Sequence, residues 1–135
     1  MPTLRLPARL ESVRRFQDFV RKKIPDWGFQ HLSAKIELAL EEILVNVVRY
    51  AYGDGIGDIQ LSCKMTDDKE LQVEVVDWGK PFNPLTRQSL DPHQDVRSRP
   101  IGGWGVALVR EMAHRLEYLN ENGKNILIIT FVNIS

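Results

Sequence analysis

One cysteine, Cys63, stands among the 135 residues, so an intramolecular disulfide and a multi-cysteine zinc site are both excluded. A reducing, cytoplasmic setting is expected. Net charge is lacking too: 18 lysines and arginines balance 18 aspartates and glutamates, so no global basic field attracts nucleic acid or an anionic membrane, and neither is expected as a partner. The balance is uneven, since residues 1–30 carry seven basic and three acidic groups. This leaves a basic N-terminal face open. No run approaches the roughly 18–20 apolar residues that span a bilayer. The opening MPTLRLPARLE is too polar for a secretory signal, so neither secretion nor insertion is expected. His31, His93 and His114 lie far apart without metal-ligand spacing, which disfavours zinc. What is present is an apolar fraction of 43% with 27% charged residues, enough for one ordinary core, and residues 1–135 are read as a single domain.

Periodicity places the elements. Thr3 to Leu6 reads as a short edge strand ending at Pro7. From Glu11 to Ile24 the residues Val13, Phe16, Phe19, Val20 and Ile24 recur at helical spacing, and Pro25 ends that helix. Ser33 is expected to cap a second helix running to about Tyr52, with Ile36, Leu40, Ile43 and Val47 as its stripe. Leu38, Val45 and Val48 lie off that stripe, which suggests a sandwiched helix with apolar surface left for an oligomer or partner. After the breaker GDGIG, Asp58 to Met65 and Leu71 to Val76 read as a hairpin across Thr66 to Lys69. Gly79 to Gly103 shows no periodicity and holds four prolines; a loop so long inside a compact domain is usually functional, and it is read as a lid over about 80–103. A third helix is expected from near Gly105, then a hairpin of Leu116 to Leu119 and Ile126 to Ile134 across Asn120 to Gly123. Cys63 alternates within a strand and is read as packed. The pattern implies an α+β two-layer sandwich, with helices on one face of a mixed, mostly antiparallel sheet.

Three short motifs could carry chemistry. Glu42 and Asn46 lie four residues apart, side by side on the second helix at the border of its apolar stripe. Alone the pair could be an ordinary surface contact, but an asparagine beside a core stripe needs its amide satisfied, and an amide oxygen suits Mg²⁺ held together with nucleotide phosphates. Asp77-Trp78-Gly79-Lys80-Pro81-Phe82 follows an apolar strand. It could be a plain turn, or a carboxylate that accepts a hydrogen bond from an adenine amino group beside a glycine that admits the base. Gly102-Gly103-Trp104-Gly105 opens a helix, and serves either as a connector or as a set of unobstructed N–H groups for phosphate. It matches neither the P-loop nor the dinucleotide fingerprint.

In combination, E-x-x-x-N on a helix, D-x-G after a strand and G-G-x-G opening a helix resemble the GHKL ATPase superfamily from about Ser33 onward. The stretches ELALEEILVNVVRYAYG, VVDWGKPF and GGWGVALVREMAHRLEY look most like the small RsbW-type anti-sigma factor kinases. The resemblance implies the Bergerat ATP-binding fold, with ATP and Mg²⁺ as cofactors. It makes Asn46 the Mg²⁺ ligand, Glu42 the catalytic or water-orienting glutamate, Asp77 and Gly79 the adenine contacts, and Gly103 and Gly105 the phosphate-loop glycines. Tyr50, where many relatives carry histidine, and the bulky Trp104 depart from the family pattern. Arg97 and Arg99 in the lid could reach phosphate oxygens.

The function so implied is an ATP-dependent serine/threonine protein kinase that transfers the γ-phosphate to a small antagonist protein and can sequester a sigma factor; a homodimer is left open. The alternative is an ATP-responsive binding module without kinase activity.

Overall fold

The computed structural model describes residues 2–53, 55–81, 109 and 111–133. Its five strands form one sheet in the order β1-β2-β3-β5-β4, each neighbouring pair antiparallel. They are β1 (Thr3–Pro7), β2 (Asp58–Met65), β3 (Glu70–Asp77), β4 (Arg115–Glu121) and β5 (Lys124–Val132). Two α-helices, α1 (Leu10–Arg21) and α2 (Ser33–Tyr50), pack on one face, so the α+β two-layer sandwich is borne out.

Strand alternation explains the layering. Ile59, Leu61 and Cys63 on β2, Leu71, Val73 and Val75 on β3, and Leu127, Ile129 and Phe131 on β5 form the inner face. Against them lie Phe16 and Val20 of α1 and Ile36, Leu40, Ile43 and Leu44 of α2. The expected α2 stripe is therefore the core stripe. Val45 and Val48 also pack against this cluster, so the surplus apolar surface read on α2 reduces to Leu38, which is 40% exposed.

Boundaries differ from the sequence reading in informative places. The first helix stops at Arg21, and a 3₁₀ turn over Pro25–Trp27 follows. Ser33 does not cap α2. A second 3₁₀ turn over Gln30–Leu32 runs straight into the helix, so the N-cap is Leu32, without a side-chain cap bond, and the Ser33 N–H is satisfied by the carbonyl of Gln30. The hairpin β4–β5 closes on Asn122 and Gly123, both at positive φ (54° and 78°), the pair of left-handed residues that a two-residue hairpin turn demands. Of the expected third helix, Val109, Glu111 and Met112 are helical. Gly105 and most of the segment read as a lid lie outside the described residues.

Candidate functional site

Helix α2 and the strands β3, β4 and β5 converge on a small cleft lined by Ile43, Asn46 and Val47 of α2, Val75 and Asp77 of β3, Tyr118 of β4, and Asn125 and Leu127 of β5. The core stripe of α2 points toward the sheet, and one helical turn along it brings in Asn46, which is only 7% exposed. Asp77 is the last residue of β3, at an inner-face position, and is 6% exposed. The structure thus brings together two of the residues singled out from sequence, Asn46 and Asp77.

The Asp77 carboxylate is asymmetric. Its Oδ1 accepts two hydrogen bonds, from the Gly79 backbone N–H and from Asn125 Nδ2, each 2.9 Å, whereas Oδ2 has no partner among the described residues. Burial raises the pKa of Asp77 above the usual carboxylate value, and the two donated bonds offset part of that rise. Asp77 lines the cleft, and its Oδ2 keeps acceptor capacity for a donor.

Gly79 is near the cleft for a reason the sequence did not disclose. A Cβ there would lie 2.0 Å from the carbonyl oxygen of Ala51, and the next residue, Lys80, donates its N–H to that same carbonyl at 3.1 Å. The missing side chain lets the Asp77 turn dock on the C-terminal end of α2. Tyr52 fastens the turn from the other side: its hydroxyl donates to the Asp58 carbonyl and accepts from the Trp78 N–H at 2.9 Å.

Asn46 has no side-chain hydrogen bond among the described residues, and it lines the cleft. A hard amide oxygen so placed fits a Mg²⁺ ion that takes its other ligands from phosphates and water. Glu42, one turn earlier, does not line this cleft. Its Oε2 is buried without a hydrogen-bond partner among the described residues, and its pKa is raised, first by burial and then by the neighbouring Glu41. Gly103 and Gly105, with Arg97, Arg99 and Trp104, lie outside the described residues.

Asn125, Tyr118 and Tyr52 were not picked out from the sequence. For Asn125 a signal existed. It begins the alternation Asn125, Leu127, Ile129, Phe131 on β5, and a polar residue at the first inward position of such a strand must be satisfied by something specific.

Residues 6–131 match the histidine kinase-like ATPase domain, and the chain belongs to that family. Among relatives, a serine-protein kinase RsbW of Bacillus mycoides is 23% identical over 134 residues, covering 96% of this chain and 83% of its own. One from Bacillus cereus has the same identity and coverage. A crystal structure of the RsbU and RsbW domains of a Mycobacterium tuberculosis protein superposes with a TM-score of 0.65 at 18% identity, covering 97% of this chain and 32% of that one. The histidine kinase domain of a blue-light activated histidine kinase from Erythrobacter litoralis gives 0.53 at 22% identity, covering 74% of this chain and 44% of that one. These likenesses establish the shared fold, and the resemblance read from the three motifs is borne out.

Proposed function

We propose that this protein is an ATP-dependent serine/threonine protein kinase acting as an anti-sigma regulatory factor, which transfers the ATP γ-phosphate to a small antagonist protein. The observation that carries this reading is the cleft lined from opposite layers by Asp77 and Asn46, a carboxylate with one oxygen and an amide that are without hydrogen-bond partners among the described residues. The names of the relatives at 23% identity support the kinase assignment.

In this reading Asp77 Oδ2 accepts the exocyclic amino group of adenine, and Ile43, Val47, Val75 and Leu127 enclose the base. Asn46 supplies the protein ligand to Mg²⁺, which when bound neutralises phosphate charge. Gly103 and Gly105 are assigned to the phosphates, and Gly79 to the turn beneath the base. Glu42 orients the attacking serine hydroxyl and accepts its proton. Phosphoryl transfer depends chiefly on positioning and charge neutralisation, and a carboxylate with a raised pKa is better matched to proton transfer near neutrality than an exposed one.

The test is a single-turnover transfer of labelled γ-phosphate to a purified antagonist protein. Glu42→Gln keeps the size and polarity of the side chain but removes the basic oxygen, so ATP affinity should hold while transfer falls by roughly 10²–10⁴. Glu41→Gln, exposed and turned by about 100° on the helix, should transfer at nearly the wild-type rate at neutral pH. ATP binding with no transfer by the unmodified protein would support the binding module instead.

A further inference from the structure

Asn125 stands at the centre of a hydrogen-bond network that the purine reading leaves unused. It is 5% exposed and pairs with Asp77 across the β3–β5 ladder. Its Nδ2 donates to Asp77 Oδ1 at 2.9 Å and to the Lys80 carbonyl at 3.0 Å, with the Gly79 carbonyl at 3.3 Å. Its Oδ1 accepts from the Tyr118 hydroxyl and from Asn120 Nδ2. Every polar position of the amide is engaged, and the orientation is determined: a flipped amide would set Oδ1 against three acceptors and Nδ2 against two donors.

We propose that Asn125 is the positioning residue that gives the Asp77 carboxylate its selectivity for a purine bearing an exocyclic amino group. By holding Oδ1 against the Gly79 N–H, it prevents the carboxylate from rotating and presents Oδ2 as the acceptor available to a ligand. The same amide grips the carbonyls of Gly79 and Lys80, so carboxylate and turn are set as one unit. A carboxylate released from Asn125 could rotate, turn either oxygen inward or recruit water, and would lose its preference for a donor in one place. Tyr118 and Asn120 act one step further out by fixing which end of the amide faces Asp77.

This inference rests on the adenine-nucleotide reading, and the experiment separates the two. Calorimetric titration compares ATP with purine riboside triphosphate, which keeps the ring and phosphates but lacks the amino group. The unmodified protein should prefer ATP. In Asn125→Ala the dissociation constant for ATP should rise about tenfold, a change of about 1.4 kcal/mol, while that for purine riboside triphosphate stays nearly constant, so the ratio collapses. Tyr118→Phe removes only the hydroxyl that orients the amide and should lower the ratio by about threefold; it decides the matter if Asn125→Ala fails to fold. Equal weakening of both nucleotides would mean a structural role only and would overturn the proposal. So would an unchanged ratio in the folded variants. If the unmodified protein bound neither nucleotide, the adenine reading would fail and this inference with it; a wild-type preference that survives in the variants would sink this inference alone.

Discussion

At the scale of single residues, burial determines which groups hold protons. Asp77 has a folded pKa above its unfolded value, so between the two values the native state binds more protons than the unfolded chain. Stability therefore falls as pH rises through that window, and the penalty is complete above the folded pKa. Asp77→Asn removes the penalty and retains Oδ1 for the Gly79 and Asn125 donors. The variant should be at least as stable as the parent at neutral pH and show a flatter stability profile in mild acid, as followed by urea unfolding across pH. A loss of more than about 1 kcal/mol at pH 7 would contradict this account of the turn.

Glu42 makes a kinetic counterpart. Glu41 contributes to its raised pKa, so Glu41→Gln should move the acid limb of phosphate transfer to lower pH, and a pH–rate profile displaced the other way would refute the coupling. Cys63 is buried on β2, and its thiol is pushed up to about 11. It should resist alkylation in the folded protein at pH 8 and react only on unfolding. Rapid labelling under native conditions would contradict its placement.

At the scale of elements, the site depends on how the β3 turn meets the end of α2. Adding a Cβ at Gly79 would force it against the Ala51 carbonyl, with the Ala51 carbonyl carbon at 2.5 Å as well. Backbone cannot yield as a flexible side chain can, so Gly79→Ala should destabilise by about 1–3 kcal/mol and weaken nucleotide binding by displacing the turn. An unchanged urea midpoint would show that the contact is slack. Much of this scale was legible in advance. The strands β2 and β3 and the stripe of α2 follow from alternation and helical spacing, because each faces a single core. The Asp77 turn was recognisable as a strand end. Ser33 misled because cap preference is local, whereas the preceding 3₁₀ turn satisfies the same N–H from the backbone. Gly79 is read from sequence as admitting a base, whereas the neighbour the structure sets against it is Ala51, 28 positions away in sequence, which comes near only through the fold. Asn125 escaped notice for the same reason: its role exists only in register with Asp77.

At the scale of the whole molecule, the sheet and the helix layer supply opposite walls of one cleft. Apolar side chains of both layers enclose it, and the polar atoms turned toward it are few. None of the helices among the described residues is long and apolar enough to cross a membrane. The basic N-terminal region is partly neutralised within the fold, since Arg21 pairs with Asp18 at 2.6 Å and with Glu37, and Arg5 pairs with Asp58 while lying over the Trp78 ring. Exposed pairs of this kind add little stability, but they tie α1 to α2 and the edge strand β1 to the Asp77 turn.

The central claim is that this cleft binds ATP through Asp77. Its most direct test is calorimetric titration of ATP with Mg²⁺ into the unmodified protein and into Asp77→Asn. In the variant the inward acceptor becomes an amide N–H₂ that opposes the adenine amino group. Loss of a hydrogen bond to a charged group amounts to about 1.5–3 kcal/mol, or roughly ten- to 150-fold in affinity. The account predicts saturable binding by the unmodified protein and weakening of that size in a folded variant. No binding by the unmodified protein, or equal affinity in the two, would contradict it.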